Sequence, residues 1–193
     1  MKKDILFIAL FGKAGTGKDF LLKSLKNENL KNVSYKIGCT TRPMREGEVD
    51  GVDYHFLSEE EFLKEEKEGS FVEVQKFNGW YYGTRLADLQ PYPIINIGVS
   101  NISGIQQMEK AGIRVSPVQI ISSDKTRLLR QLEREECPDV KEIIRRFNTD
   151  EEDFKEVPFE YFYLSNYKDN ENEAPSKMKG FIGTLTELVN FTT

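Results

Sequence analysis

The segment Gly12-Lys13-Ala14-Gly15-Thr16-Gly17-Lys18-Asp19 constrains this chain more than any other. An apolar run, Ile5 to Phe11, precedes it, and Phe20, Leu21, Leu22 and Leu25 follow at helical spacing. Strand, glycine-rich loop, helix is the setting a phosphate-binding P-loop requires. The glycines let backbone N–H groups approach phosphate oxygens, and the helix turns its positive end toward the anion. Lys18 adds a full charge within reach of β- and γ-phosphates. A glycine turn arising by chance would not come with both flanks in place. One position departs from the usual pattern: Asp19 stands where such loops offer a Ser or Thr hydroxyl to Mg²⁺. A carboxylate is also a hard oxygen ligand, so magnesium binding is retained as an expectation.

A strand feeding such a loop belongs in a parallel sheet with helices on both faces, and the rest of the chain agrees. Further buried strands are expected at Pro93–Gly98, Val118–Ile121 and Tyr161–Leu164. Helices are expected at Ser103–Ala111, Asp124–Glu135, Val140–Phe154 and Phe181–Phe191. Residues 34–90 read differently, as short alternating pieces around Tyr54-His55-Phe56, Phe71-Val72-Glu73-Val74 and Trp80-Tyr81-Tyr82. One helix interrupts them, with Ser58 as N-cap and Glu61 completing a capping box. Its charge run, Glu59 to Glu68, is expected to be a solvated face. The polar stretch Lys168 to Lys179 reads as a surface loop. The expected organisation is therefore a P-loop core, 1–33 and 91–193, with a small mixed β insertion, 34–90.

The chain has 193 residues, 38% of them hydrophobic, enough for one domain with a substantial core. A net charge of −5 argues against nucleic-acid polymers and acidic membranes as partners. Cys39 and Cys137 have no metal-type spacing and read as reduced thiols of a cytoplasmic protein. The apolar N-terminal run is too short to span a membrane.

Arg42 and Arg45 lie three apart in a segment rich in turn formers. Two guanidiniums that close repel unless an anion lies between them, and their shape suits phosphate. Beside a P-loop domain they point to a second phosphate site.

The stretch Thr40-Thr41-Arg42-Pro43-Met44-Arg45-Glu46-Gly47-Glu48 continuing to Gly51, Tyr54 and Phe56 resembles the guanylate kinase signature. Gly79-Trp80-Tyr81-Tyr82-Gly83-Thr84 resembles that family's later element, and the P-loop lies the expected distance upstream. The resemblance implies transfer of the ATP γ-phosphoryl to GMP or dGMP, with Mg²⁺, in a monomer or homodimer. It implies that Gly12 through Asp19 bind ATP, with Asn166 near the adenine. Arg42, Arg45, Tyr54 and Tyr82 would hold the acceptor phosphate, Glu73 would read guanine, and Thr84 would assist. Lys18 and Arg42 would act on the transferring group with Arg134 and Arg146 of a mobile lid at about 130–150; Arg130 is a further candidate. Asp19 and Asn96 would lie at the metal.

Bottom-up, the Glu73 role rests on strand alternation, which puts Phe71 and Glu73 on one face and Val72 and Val74 on the other. A carboxylate on a pocket face rejects adenine, whose N1 is an acceptor. Three departures stand out. Gly38-Cys39 replace a pair of serines, Asn96-Ile97-Gly98 replace a strand carrying two alternate aspartates, and Asp19 replaces the hydroxyl. They keep open a kinase for another phosphorylated acceptor. A binding module without catalysis is disfavoured, because Lys18, Gly12, Gly15 and Gly17 are all present.

Overall fold

The computed structural model describes residues 4–28, 30–134, 136–166 and 173–190, with side chains through 184. Its elements run β1 (Leu6–Phe11), α1 (Lys18–Asn27), β2 (Val33–Tyr35), β3 (Gly38–Thr40), β4 (Tyr54–Phe56), α2 (Glu59–Lys67), β5 (Phe71–Phe77) and β6 (Trp80–Arg85). Then follow β7 (Ile95–Val99), α3 (Ile102–Lys110), β8 (Arg114–Ile121), α4 (Asp124–Leu132), α5 (Val140–Asp153), β9 (Phe162–Ser165) and α6 (Glu173–Asn190). One sheet has the order β2-β7-β1-β8-β9 and a second has the order β4-β3-β6-β5. β2 with β7 and β8 with β9 run parallel. In the second sheet β3 and β4 are parallel, while β6 is antiparallel to β3 and β5. This is the α/β class expected from the sequence, with a parallel sheet flanked by helices and a separate mixed sheet.

The chain divides into two compact units, 1–9 with 32–115 and 10–31 with 116–193. In the first, Ser34 and Tyr35 pair with Asn96 and Ile97 of β7. The sequence boundary at 34 therefore falls inside a strand of the parallel sheet, and the mixed sheet occupies 38–85. The α2 capping box forms as expected: Ser58 N–H donates to Glu61 Oε2 at 2.8 Å, and Glu61 N–H donates to Ser58 Oγ at 3.2 Å. The α2 charge run is solvated except at Glu65, which takes a bidentate contact from Arg85 at 2.6 and 2.7 Å. Phe62, the buried residue of α2, stacks on Phe71 at 4.5 Å and Tyr81 at 5.4 Å. That seals one face of the β5–β6 hairpin.

A bulge corrects the alternation assumed for β5. Phe71 pairs with Arg85, but Glu73 pairs with Thr84, so Val72 is the extra residue. Paired residues share a face and successive residues alternate, so Phe71 and Glu73 lie on opposite faces. Phe71 turns to α2. Glu73 turns the other way, with Gln75, Tyr82 and Thr84.

In the second unit Phe11 packs against Phe154, Phe159 and Tyr161, at centroid separations of 6.0, 5.5 and 5.5 Å. The segment 168–179 is not all loop. From Glu173 it is helical, while 168–172 lie outside the described residues. Ala174, Met178 and Ile182 are buried at a spacing of four, the stripe that α6 lays against the unit. The face expected of Leu185, Leu188 and Val189 falls on side chains that are not described. The expected lid comprises the end of α4, the connection 133–139 and most of α5. Among the described residues no helix is long and apolar enough to cross a membrane.

Candidate active site

The glycine loop folds as its composition requires. Gly17 is the N-cap of α1 with φ of 88° and no side-chain cap, so the first N–H groups of that helix lack an intrahelical acceptor. Gly15 has φ of 78°, and a Cβ there would stand 2.5 Å from the Arg127 carbonyl oxygen. Both positions therefore exclude any side chain. Lys18 Nζ donates to the carbonyls of Gly12 at 2.7 Å and Lys13 at 3.0 Å, curling over the loop. Burial pulls the Lys18 pKa below the usual lysine value; Asp19 and Asp150 oppose the shift and Arg127 adds to it. Thr16 Oγ1 donates to Lys13 O at 2.9 Å and fixes the tip.

Asn166, expected near the adenine, is buried beside this loop. Its Nδ2 donates to Thr16 O at 2.8 Å. Its Oδ1 is buried and has no partner among the described residues. An acceptor oxygen held in that way suits an exocyclic amine.

The arginines of α4 and α5 sort differently from the expectation. Arg130 Nη1 reaches Gly15 O and Thr16 O at 3.3 Å and Asn166 O at 3.2 Å. Arg134 lies beyond the end of α4, exposed, with no ion pair to a described residue. The helix explains this: Arg127 and Arg130, three apart, share the face toward the loop, and the helix stops at Leu132. Arg146 donates from Nε to Glu142 Oε1 at 2.8 Å. Arg145 binds the same carboxylate, and the two hold its pKa down at about 2.

The two expected metal positions have different surroundings. Asp19 is exposed in the first turn of α1, where a negative charge suits the helix dipole. Asn96 is 1% exposed and its amide is spent on backbone. Nδ2 donates to Leu6 O at 3.1 Å and Gln90 O at 2.8 Å, and Oδ1 accepts from Gln90 N–H at 2.9 Å. Asn96 braces β7 rather than presenting a metal ligand. Among the described residues no three His, Cys, Asp or Glu side chains are grouped to hold a metal ion.

Of the residues expected on the acceptor side, Tyr54, Glu73, Tyr82 and Thr84 share one face of the mixed sheet. Register places Gly38 opposite Tyr54, Thr40 opposite Tyr82, and Glu73 opposite Thr84. Cys39 pairs with Gly83 and so turns to the α2 side, where burial raises its thiol pKa to about 12. Of the Gly38-Cys39 departure, only Gly38 bears on this face.

Thr40 and Thr41 anchor the start of the arginine segment. Thr40 Oγ1 donates to Tyr81 O at 3.0 Å and accepts from Arg42 N–H at 3.1 Å; Thr41 Oγ1 accepts from Tyr81 N–H at 2.9 Å. Arg42 is 6% exposed and grips Glu48 with both terminal nitrogens, at 3.0 and 2.8 Å. Its Nη1 also donates to Pro43 O at 2.7 Å. The pairing raises the Arg42 pKa and lowers that of Glu48. With Tyr82 as a further hydrogen-bond partner, these contacts fix the plane of the guanidinium. Arg42 also lies 5.7 Å from the ring centroids of Tyr54 and Phe56. The Arg45 side chain is exposed, while its N–H donates to Glu48 Oε2 at 2.7 Å. Glu48, in the Gly-Glu step of the signature, thus ties the Arg42 guanidinium to the Arg45 backbone.

Glu73 is buried and met by three donors: Thr84 Oγ1 at 2.6 Å and Lys36 Nζ at 3.4 Å on Oε1, and Gln75 Nε2 at 2.8 Å on Oε2. Gln75 is itself bound by Asn101, the N-cap of α3. Lys36 was missed in the sequence. Its chain runs over Gly98, where an added Cβ would stand 2.8 Å from Lys36 Cβ. The missing side chain at 98 is what admits it.

The comparisons with known proteins decide the family. A guanylate kinase family profile matches residues 5–184. The chain belongs to the guanylate kinase family. It is 40% identical over 89 residues to a guanylate kinase of Schizosaccharomyces pombe, covering 46% of this chain and 44% of that protein. With one from Helicobacter hepaticus it shares 46% identity over 90 residues, covering 47% and 44%. The matched segments thus span less than half the length of these relatives. A crystal structure of guanylate kinase from Anaplasma phagocytophilum superposes with a TM-score of 0.64 at 18% identity, covering 96% of this chain and 88% of that one. That likeness establishes the fold.

Proposed function

We propose that this protein transfers the γ-phosphoryl of ATP to GMP or dGMP. The observation that carries the reading is the registered face of the mixed sheet, where buried Glu73 pairs with Thr84, and Tyr82, two residues along the same strand, lies opposite Thr40, which anchors the Arg42 segment. Loop 12–19 is the donor site. Its N–H groups and the Lys18 ammonium neutralise the β- and γ-phosphates, and Asn166 Oδ1 accepts from the adenine amine. Arg42, Arg45, Tyr54 and Tyr82 hold the acceptor phosphate and leave one oxygen directed at the γ-phosphorus. That oxygen forms the new P–O bond as the bond to the β–γ bridging oxygen breaks, so ADP leaves with GDP or dGDP as product. Arg130 and Arg146 offset the charge that develops on the transferring group. Asp19 is the carboxylate beside the loop, so a Mg²⁺ ion here would be carried mainly by the nucleotide's phosphates with Asp19 in support. Such an ion would supply charge neutralisation for the transferring phosphoryl group. The free thiols of Cys39 and Cys137 support a cytoplasmic location.

Lys36 favours a second reading, a kinase for a different phosphorylated acceptor. Its ammonium already engages the carboxylate that would read guanine, and adds a positive charge to a face whose other donors to Glu73, Thr84 and Gln75, are neutral. Glu73→Gln separates the two readings. If Glu73 accepts from guanine N1–H, the variant loses GMP turnover and its GMP-over-AMP preference in kcat/KM narrows by ~10-fold or more, the effect of one buried charged hydrogen bond. An unchanged ratio moves the assignment to the second reading.

A further inference from the structure

Arg127 has no role in the activity proposed above, yet it is the largest fully buried side chain of the second unit, 1% exposed. Its Nε donates to Ala14 O at 3.0 Å. One terminal nitrogen donates to Asp150 Oδ2 at 2.8 Å, and the same Oδ2 accepts the Ala14 N–H at 2.7 Å. The other reaches Asp124 at 2.7 Å and Glu151 at 3.3 Å, and the guanidinium carbon lies 4.4 Å from the Phe147 ring centroid. Glu151 in turn binds Lys13 at 2.6 Å.

A phosphate-binding loop depends on the direction of its N–H groups, and glycines on either side leave that direction weakly set. Here an ion pair grips both polar atoms of one residue in the middle of the loop. Such a pair acts as a short artificial strand laid along Ala14. We infer that Arg127 and Asp150 are positioning residues that fix the loop for nucleotide phosphate. Asp150 also lies one helical turn after Arg146, so the clamp fixes that arginine's helix against the loop. The inference rests on reading loop 12–19 as the nucleotide site. The opposite role, a carboxylate competing with phosphate for the Ala14 N–H, predicts the reverse effect on ATP.

The test uses the full chain and ATP as the probe. Replacing a buried ion pair with apolar groups of similar volume commonly preserves the fold, so Arg127→Met with Asp150→Leu removes the clamp without leaving a lone charge. ATP should bind about 10- to 100-fold more weakly by calorimetry, the scale of an ångström-level misplacement, while the acceptor KM stays within a factor of two. Arg127→Lys, which keeps the charge but not the fork, should fall between. The wild-type chain supplies a check that needs no variant: the Ala14 amide should exchange with solvent more slowly than the Ala87 amide. Unchanged or tighter ATP binding in the double variant, or fast Ala14 exchange, overturns the clamp. A wild-type chain that binds ATP but does not turn over GMP sinks the proposed acceptor and leaves the clamp intact. Slow Ala14 exchange with unchanged ATP affinity overturns the clamp and leaves the proposed activity standing.

Discussion

At the scale of single residues, charge placement matters more than charge number. Arg42 and Arg45 read as equivalent in the sequence, yet Arg42 is buried on Glu48 and Arg45 faces solvent. Arg42→Ala would leave Glu48 without its partner and confuse binding with local collapse, so Arg45→Ala is the cleaner probe. It should raise the acceptor KM ~10- to 100-fold with ATP affinity unchanged, as expected from one charge-assisted bond of ~1.5–3 kcal/mol. Equal KM values in variant and wild type would remove Arg45 from the phosphate site. Lys18 gives a pH signature. Its folded pKa lies below that of the unfolded chain, so between the two values the unfolded state binds more protons. Stability therefore rises with pH through that window, which lies below the usual lysine value, and the cost of a charged Lys18 falls away. Nucleotide phosphate favours the charged form, so ATP binding should take up protons there and weaken as pH rises. Calorimetry in buffers of different ionisation enthalpy measures that uptake, and zero uptake would contradict the placement of Lys18. The Lys36–Glu73 pair and the Ala14 clamp were not legible in the sequence. Both depend on partners 37 and more than 100 residues apart, which no local spacing encodes.

At the scale of elements, most of the fold was legible and the exceptions share a cause. Whereas the strand expected to be buried at Tyr161–Leu164 forms at the sheet edge with Phe162 and Tyr163 exposed, the α2 capping box, the P-loop helix and the buried strands at Leu6–Phe11, Ile95–Val99 and Val118–Ile121 follow from local patterns. The face of Phe71 did not, because a bulge shifts the period by one residue without a mark in composition. The start of α6 was hidden by polar residues around Ala174 and Met178, which share a face only once the helix is wound. Where α4 stops is not marked in composition either, so sequence does not show that Arg130 lies on the helix and Arg134 beyond its end. Packing on the α2 side of the hairpin yields a sharp expectation at Gly83. A Cβ there would stand 2.9 Å from Phe71, 3.0 Å from Phe62 and 3.2 Å from the Glu73 carbonyl oxygen. Gly83→Ala should cost ~1–3 kcal/mol by overpacking, lowering Tm by ~2–4 °C for each kcal/mol. A melting curve with no shift would mean that the rings of Phe62 and Phe71 yield freely. Because Thr84 and Tyr82 flank this position, the same variant should also weaken acceptor binding.

At the scale of the whole molecule, the proposed reading puts a donor site in one unit and an acceptor site in the other, and the chain's net charge of −5 leaves such chemistry to local basic spots. One unit holds the glycine loop with Lys18, Arg127, Arg130 and Asn166. The other holds Arg42, Arg45, Glu73 and Thr84. Family membership follows from a match over residues 5–184, whereas the substrate pair rests on the residues themselves. Mixing the purified protein with ATP, Mg²⁺ and each of GMP, dGMP, AMP, CMP and UMP in turn, and following products by ³¹P NMR, tests the central claim most directly. Equimolar ADP and GDP or dGDP, with AMP and the pyrimidines slower by ~10⁴-fold in kcat/KM, is the predicted result for a buried carboxylate reading guanine. Faster turnover of any other monophosphate, or no transfer to GMP at all, would contradict it.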